Sequence, residues 1–567
     1  MKILHHLLSI SILFLGIFCS CKKNADHPDA GGLSYGIVGI EPGSARTGDT
    51  VTIYGVGFKP DAAANKVSIN GVDATIVEAG KSALRVIVPD APRTGNISVT
   101  TGSLSFNFNL TFNITTVLSG ELSGNLTLSP DKLYLLKGEV HLKAGATMTI
   151  QAGTTIFANK ETLAALVIDD GATLVANGTV DKPIVFTSDQ AVTRRAPGDW
   201  KGIVLAGGAN ASQAEDVLQY VRIEFAGYHL SVEPGAALAM NRSVAGGKIA
   251  YVQASYSAGD GFRCAAAAGT TTYMKNLIAF GCAGTDFDFA GDSRVIAQFL
   301  FGMKDPVYAD QYSADGLIAR SSRPITVSNL TLVGPNGLSR AANTSAPNYN
   351  YQLNVDGVLN RHAGRGVHIG GYDRVTGADL GGTLQLFNSA IVAAWLAGVS
   401  VDGPMAWNAY GNGGSVIRHT SLTYNLATSR TSLGHEDPPL RGYCFSPENI
   451  TSSYSGFGSA MGTPQYADFN VSNDTLKLQQ ETPFFQAPNP YTKYDELGVL
   501  NLVLYSKLHG PVLTFPDESL LMSGATFTDS ELGDVFIDKT SLFRGAFGSV
   551  DWSKVWSNYS PQETSYN

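Results

Sequence analysis

The sequence predicts an all-β protein in two parts, a small antiparallel β-sandwich followed by a long right-handed parallel β-helix. Apolar and β-branched residues alternate in short runs that are separated by Gly, Pro, Asn or Asp, which is the pattern of short strands. From about residue 117 onward, similar segments return at intervals of 25 to 31 residues, as they do in stacked repeats. No amphipathic helix of ten or more residues separates the runs, so folds built from βαβ units are disfavoured.

The composition agrees with a turn-rich chain that has a large core. Of 567 residues, 62 are Gly, 44% are apolar and 15% are charged, whereas glycine makes up about 7% of an average protein. The formal net charge is −9. Proteins that hold nucleic acids carry a basic excess, so we expect no nucleic-acid partner.

The first twenty residues have the pattern of an export signal. After Lys2, an apolar run at 7–18 is followed by Ser20 and Cys21. The run is about a dozen residues long, which is shorter than the ~20 that a membrane-spanning helix needs. The segment resembles a bacterial lipoprotein signal peptide. The resemblance implies that residues 1–20 are removed, that Cys21 carries a lipid and that a polar tether follows over 21–33.

This signal predicts where the protein resides. We expect an outer-membrane lipoprotein of the cell envelope that is exposed at the surface, with the lipid as its contact to the membrane. The two lysines that follow Cys21 open a polar stretch, which favours lipidation. Ordinary secretion and a short buried helix are the alternatives for the same segment.

The remaining cysteines do not form a metal motif. Cys264, Cys282 and Cys444 lack the Cys-x-x-Cys spacing that zinc sites use. Cys264 and Cys282 either pair in an oxidising envelope or remain buried free thiols. We expect no cofactor and no metal, apart from a calcium option at the acidic segment 286–292.

Residues 34–112 predict the sandwich. Turn residues break the strand-like alternation every eight to twelve residues, and the Asn-Gly pair at 70–71 suits a two-residue hairpin. The segments GDTVTIYGVGF at 48–58, VSINGV at 67–72 and VIVP at 86–89 resemble the IPT/TIG family of immunoglobulin-like domains. The resemblance implies an immunoglobulin-like fold that acts as a spacer or an interaction module.

Residues 117–567 predict the β-helix together with a C-terminal extension. Gly-Ala-Thr occurs at 145 and again 26 residues later, and Tyr-Val occurs at 220 and again 31 residues later. Short strands that repeat at such intervals fit a parallel β-helix with Val, Ile, Leu and Phe stacked inside. The segments DKPIVFTS at 181–188, PGDWKGI at 197–203 and YVRIEFAG at 220–227 resemble a family of large β-helix proteins on the surface of Bacteroidetes.

An acidic segment is the candidate for chemistry. Asp286 and Asp288 are two residues apart, so in an extended segment both carboxylates project from the same face. They can bind calcium or, with Arg263 about one repeat away, form a lyase-like constellation. The alternative is structural, a solvated strand face or a turn capped by Asp. His368 lies among glycines and is either beside a ligand or a hydrogen-bonded loop residue.

Tyr349 and Tyr351 are the candidates for sugar binding. They lie in the segment PNYNYQ at 347–352. Two rings exposed on one side of a loop can stack on sugar rings, and loops that protrude from a rigid coil are frequent binding sites. The alternative is that both rings pack onto the coil.

The function predicted from these features is binding or adhesion without catalysis. A lipid anchor, a spacer domain and a rigid coil that presents loops suit a surface protein that holds a glycan or another surface protein. The rival hypothesis is a polysaccharide lyase or a glycoside hydrolase on the same coil, because parallel β-helices often carry such enzymes.

Overall fold

The computed structural model shows two β domains and a C-terminal segment that packs on the second domain. The all-β fold with a sandwich and a parallel β-helix is confirmed. The structure describes residues 35–207, 215–228, 235–244, 246–267, 269–305, 315–321, 323–334, 365–371, 378–392, 397–422, 442–445, 467–470, 513–514 and 520–566. Across these ranges, no helix has the length and apolar character that a membrane span requires.

The elements of the sandwich precede those of the coil in the chain. The sandwich strands are β1 (Gly36–Glu41), β2 (Ser44–Arg46), β3 (Thr50–Val56), β4 (Asn65–Ile69), β5 (Val72–Ala79), β6 (Ala83–Ile87), β7 (Thr94–Thr101) and the first half of β8 (Leu104–Leu122). Helices in the described part of the chain are short: α1 (Pro404–Gly411) and 3-10 turns at Ala62–Ala64, Leu520–Met522, Ser530–Leu532 and Pro561–Glu563.

The strands of the coil begin with the second half of β8. They continue with β9 (Leu126–Leu128), β10 (Leu133–Leu142), β11 (Thr147–Ile150), β12 (Thr155–Ala158), β13 (Ala165–Ile168), β14 (Thr173–Asn177), β15 (Ile184–Ser188), β16 (Gly202–Leu205), β17 (Val217–Glu224), β18 (Ala236–Met240), β19 (Ile249–Ser255), β20 (Asp260–Cys264), β21 (Thr271–Phe280) and β22 (Phe287–Ala290). The later strands are β23 (Arg294–Met303), β24 (Leu317–Arg320), β25 (Ile325–Val333), β26 (Arg365–Gly370), β27 (Leu384–Phe387), β28 (Ala390–Val392), β29 (Ala397–Asp402), β30 (Val416–Leu422), β31 (Gly442–Phe445) and β32 (Ala467–Asn470).

The sandwich consists of two sheets that are antiparallel apart from β2, which pairs parallel with β8. One sheet has the order β1, β3, β6, β5, and the other has the order β5, β4, β7, β8, so β5 takes part in both. Ile53, Val86 and Val99 belong to the fully buried core of this domain. Burying an aliphatic side chain of this size stabilises a fold by about 1.5–3 kcal/mol.

One continuous strand connects the sandwich to the coil. The first half of β8 pairs antiparallel with β7 as far as Asn113. Its second half, from Thr115 onward, pairs parallel with β10 of the coil. Across the junction, the Lys132 Nζ atom lies 2.6 Å from a carboxylate oxygen of Asp90. The two domains are therefore joined through the backbone of a shared strand.

The coil has three parallel sheets, and each turn contributes to all three. Sheet 1 contains β12, β15 and the second halves of β17, β19, β21, β23 and β25. Sheet 2 contains β13, β16, β18, β20, β22, β24, β26 and β29. Sheet 3 contains β11, β14 and the first halves of β17, β19, β21, β23 and β25.

The repeats in the sequence coincide with the register of the strands. Thr147 pairs with Thr173, which lies 26 residues later. Tyr220 and Tyr251 lie one turn apart, and their rings stack with centroids 4.6 Å from each other. The intervals that suggested stacked repeats are therefore the lengths of individual turns.

The interior of the coil is a column of apolar side chains, because alternate residues of each strand point inward. Phe262 and Phe287 lie at successive levels of sheet 2, and their rings stack with centroids 5.5 Å apart. Cys264 and Cys282 lie in the same interior as buried free thiols. Of the two alternatives for this pair, the structure therefore shows the unpaired one. The side chain of Cys444 lies outside the described part.

Sheet 3 bends into sheet 1 at one residue per turn. These residues, which we call the corner column, have φ angles between 51° and 58°. They are Tyr220, Tyr251, Asn276, Phe299, Asn329, Asn388 and His419. Asparagine adopts left-handed φ more readily than most residues, whereas tyrosine and phenylalanine need support from surrounding packing to do so.

The C-terminal segment 520–566, which we call the strap, packs along the corner column. Thr526 hydrogen-bonds to Asn388 in a late turn, and Asn558 hydrogen-bonds to Gln253 in an earlier turn. The strap therefore runs against the direction in which the turns stack.

Apolar side chains on the outer face of sheet 1 are covered by the strap. Phe280, Phe301 and Met303 form a buried cluster with Phe547 and Trp556 of the strap. Strands of sheet 1 thus have apolar residues on both faces, which explains the unbroken apolar runs in their sequences.

Candidate functional site

The described residues contain a cluster of charged side chains on the outer face of sheet 2, which we call the charged row. It spans four neighbouring strands, β20, β22, β24 and β26, and the residues just before them. Its members are Asp260, Arg263, Asp288, Asp315, Arg320, Arg365 and His368. The segments Phe-Arg-Cys, Phe-Asp-Phe and Val-His-Ile place one polar residue between two inward apolar ones, so strand alternation turns the polar residue outward.

Asp288 is the centre of the row. Its carboxylate receives Arg263 Nε at 3.3 Å from the preceding turn. From the following turn it receives Arg320 Nε at 3.3 Å and Arg320 Nη2 at 2.5 Å. Hydrogen bonds between a guanidinium and a carboxylate are charge-assisted and fix the orientation of the planar group. Two arginines from different turns are therefore oriented by one buried acid.

Asp260 extends the row by one turn. One of its oxygens accepts the backbone N–H of Thr285 at 2.9 Å, and the other accepts Arg263 Nη2 at 3.1 Å. Burial and, next, the charge of Asp288 raise the pKa of Asp260 to about 7. Burial and the neighbouring carboxylate therefore both oppose ionisation of this carboxyl group.

Asp315 organises the other end of the row. Its carboxylate accepts the backbone N–H of Arg365 at 2.6 Å and Arg365 Nε at 3.2 Å. It also lies 3.1 Å from His368 Nδ1, and His368 Nε2 lies 3.2 Å from Arg365 Nη1. Burial works to raise the pKa of Asp315, but the charge of Arg365 and the contact with His368 hold it below its ordinary value. His368 is hydrogen-bonded as one alternative predicted, but it lies in strand β26 and not in a loop.

The structure corrects the expectation that Asp286 and Asp288 project together. Asp286 precedes β22, which begins at Phe287, so strand alternation does not apply to it. Its carboxylate is fully buried and lies 2.9 Å from the ammonium of Lys304, which is fully buried as well. Burial raises the pKa of Asp286 to about 7, against the effect of Lys304. The two acids therefore face different cations.

Calcium binding by this pair has no support from the geometry. Calcium needs six to eight oxygen ligands around one point. Asp286 faces Lys304, and Asp288 faces two arginines. Within the described ranges, no group of three or more His, Cys, Asp or Glu side chains could hold a metal ion. Calcium binding therefore stays a prediction.

The row presents cations rather than acids to the outside. The carboxylate side chains of Asp260, Asp288 and Asp315 are 1% to 3% exposed. The guanidinium-bearing side chains of Arg263, Arg320 and Arg365 are 18% to 24% exposed. A ligand that approaches this face meets positive groups whose orientation is already set.

Sequence reasoning found the centre of this site and missed its ends. It related Asp288 to Arg263, and these two are in contact. It did not connect Asp315 with Arg365, which are 50 residues apart, because no repeat interval links them. The polar residues between inward apolar neighbours were a usable signal for the row. Tyr349, Tyr351 and Cys21 lie outside the described residues, so their predicted roles stay predictions.

Two family models match parts of the chain. Residues 37–114 match the IPT/TIG domain, and residues 120–217 match the pectate-lyase-like β-helix domain. The chain thus contains an IPT/TIG immunoglobulin-like domain and a β-helix domain. The charged row begins at Asp260, beyond the matched part of the coil. No curated protein matches the chain significantly.

Three solved structures are similar to a short part of the chain. Two are auxiliary nutrient binding proteins, from Bacteroides thetaiotaomicron and Bacteroides ovatus, with 24% and 27% identity and TM-scores of 0.14 and 0.13. The third is a candidate phosphatase from Bacteroides thetaiotaomicron, with 25% identity and a TM-score of 0.14. Each match covers 14% of this chain and 18% to 21% of the other. Matches of this extent carry no argument about function.

Proposed function

We propose that the protein is a surface-anchored lipoprotein that binds an acidic glycan at the charged row without catalysis. The observation that carries the proposal is the set of three partly exposed arginines, each oriented by a buried carboxylate. An arginine that is already oriented binds a carboxylate or sulfate group with less loss of conformational entropy than a free one. The three arginines, on β20, β24 and β26, also lie along one direction, which suits a linear polymer that carries repeated acidic groups.

The same geometry supports binding over turnover. A general base has to reach the proton that it removes, within hydrogen-bonding distance. The three carboxylates of the row are nearly inaccessible and are held by arginines, and both ring nitrogens of His368 contact neighbouring side chains. The raised pKa of Asp260 is the observation that favours the rival function, because perturbed carboxyl groups cluster at active sites.

Acidic and neutral oligosaccharides separate these alternatives. The mature protein is titrated with oligogalacturonate and with a neutral galactan fragment of equal length, and binding is measured by calorimetry. We expect the acidic oligomer to bind more tightly and Arg320→Gln to weaken it at least tenfold. Lys66→Gln removes the same charge from an exposed position of the sandwich, 68% exposed, and serves as the control.

Two results would overturn the binding proposal. One is equal affinity of the acidic and neutral oligomers, or unchanged affinity in Arg320→Gln. The other is the appearance of unsaturated or hydrolysed products that are lost in Asp288→Ala, which establishes the lyase or hydrolase function instead.

Anchoring is a separate part of the proposal and has a separate test. Cys21→Ala removes the residue that we expect to carry the lipid. The variant should move from the membrane fraction to the soluble fraction and should lose incorporation of labelled fatty acid. Unchanged fractionation would refute the anchor and would leave the binding proposal untouched.

A further inference from the structure

A cavity of about 550 Å³ lies between the corner column and the strap. Its walls are aromatic, and its rings come from both sides of the interface. They belong to Tyr251, Phe299, Phe536, Phe543 and Trp552. The volume falls within the range of about 300–1,000 Å³ that is typical of small-molecule sites. The charged row lies on sheet 2, whereas this cavity lies where sheet 3 bends into sheet 1, so the two sites share no residue.

Asparagines of the corner column show how the strap is held. Asn388 donates from Nδ2 to the carbonyl oxygen of Thr526 at 2.9 Å and accepts the N–H of Thr526 at Oδ1, also at 2.9 Å. Asn329 donates to the carbonyl oxygen of Phe543 at 2.8 Å, and its Oδ1 accepts Gln298 Nε2. The amides of both asparagines are therefore saturated by partners within the protein.

Asn276 occupies the equivalent position at the cavity and lacks such partners. It is 5% exposed, lines the cavity and has no side-chain hydrogen bond to any described residue. Its amide group therefore keeps hydrogen-bonding capacity for a group in the cavity. A ligand with its own amide group would satisfy Asn276 with the two-bond geometry that Asn388 makes with a peptide group.

The charged and aromatic residues that line the rest of the cavity indicate which class of ligand it fits. Lys275 Nζ lies 5.4 Å from the ring centroids of both Phe299 and Phe536 and donates to the carbonyl oxygen of Phe536 at 3.3 Å. Asp538 of the strap also lines the cavity. Burial lowers the pKa of Lys275, and the charge of Asp538 opposes this shift. Aromatic faces favour contact with the C–H groups of a saturated ring, and the amide and charged groups favour hydroxyl and acetamido substituents.

We propose that this cavity binds an acetamido sugar, with the acetamido group on Asn276 and the sugar ring against the aromatic walls. This is a second site in addition to the charged row and does not rest on the function proposed for the row. A peptide also offers amide groups, but a volume of about 550 Å³ and the ring-lined walls fit a compact saturated ring better than an extended chain.

Matched sugars provide the test. The full mature protein is titrated with N-acetylglucosamine and N-acetylgalactosamine, and with glucose and galactose, which lack the acetamido group, and binding is measured by ligand-observed NMR and calorimetry. We expect the acetamido sugars to bind at least tenfold more tightly than the parent sugars. Glycine tolerates the φ of 55° at position 276. Asn276→Gly therefore removes the amide without backbone strain and should abolish this preference.

Two further variants distinguish a loss of sugar binding from a loss of folding. Ser549 lies at the cavity and is exposed, so Ser549→Trp should block entry while the protein melts at the wild-type temperature. Asn96→Ala changes an exposed asparagine of the sandwich and should leave binding unchanged. Equal binding of acetamido and parent sugars, binding that persists in Asn276→Gly, or binding of a short peptide in place of the sugars would each overturn the proposal.

Discussion

The outer face of sheet 2 and the strap-covered corner column both bury polar side chains, and they satisfy them differently. In the charged row, side chains from successive turns neutralise one another, as Asp288 does with Arg263 and Arg320. In the corner column, amides such as Asn388 bond to the backbone of a segment more than a hundred residues away. The first arrangement leaves oriented cations at the surface, and the second fastens a separate segment to the coil. The same repeated backbone thus supports a charged surface on one side and an internal interface on the other.

The interface under the strap should be the more sensitive of the two regions to loss of apolar volume. Trp556 is fully buried, and its ring lies 6.0 Å and 6.2 Å from those of Tyr220 and Tyr251. Trp556→Ala should destabilise the attachment of the strap by about 3–5 kcal/mol, because it removes a large side chain from a packed site. Hydrogen exchange in the strap should speed up, while exchange in sheet 2 stays unchanged. Leu542→Ala, at a position 61% exposed, is the control.

Among the ion pairs near the charged row, the most deeply buried one should contribute most to the free energy of unfolding. Lys304→Met leaves the Asp286 carboxylate buried without its cation, which we expect to cost about 3 kcal/mol of unfolding free energy. Combining it with Asp286→Leu should recover part of this loss, because no buried charge then remains. Chemical denaturation measures both variants. A double variant less stable than Lys304→Met would show that the pair acts through packing and not through charge.

Removing one amide of the corner column should have a smaller effect than removing Trp556. Asn388→Gly deletes both hydrogen bonds to Thr526, and glycine tolerates the φ of 51°. At about 0.5–1.5 kcal/mol for each bond, the strap should loosen by about 1–3 kcal/mol. Limited proteolysis reports the opening of the strap, and unchanged cleavage would show that apolar contacts alone hold it.

The pH dependence of stability gives a further prediction for the charged row and Asp286. The folded-state pKa of Asp260 and of Asp286 is about 7, above the ordinary value of 3.8. The folded protein therefore binds more protons than the unfolded chain between about pH 4 and pH 7, and stability should fall as pH rises through this window. Asp315 has a lowered pKa, so its contribution is lost only at more acidic pH. Asp260→Asn should flatten the slope in denaturation at several pH values, whereas Asp73→Asn at an exposed site should not.

Much of the fold was predictable because it depends on local patterns. Alternation and turn residues indicated short strands, and the 31-residue interval between Tyr220 and Tyr251 is the length of one turn. The strap was not predictable in the same way. Its contacts with Gln253 and Asn388 join residues that are 305 and 138 positions apart, and no periodicity relates them. The site divides similarly, since Arg263 and Asp288 are one turn apart in the repeat whereas Asp315 and Arg365 are 50 residues apart in the sequence.

The sequence by itself determined the two β domains, their order and the direction in which most side chains point, because alternation and repeat length are properties of neighbouring residues. Only the tertiary structure decided which charges meet. It separated Asp286 from Asp288 by placing one before the strand and the other within it. It also left Asn276 facing a cavity while Asn329 and Asn388, at equivalent positions, are bound to other parts of the protein. The reason is physical: equivalent residues in a repeat have equivalent backbones, but their partners come from segments that lie outside the repeat.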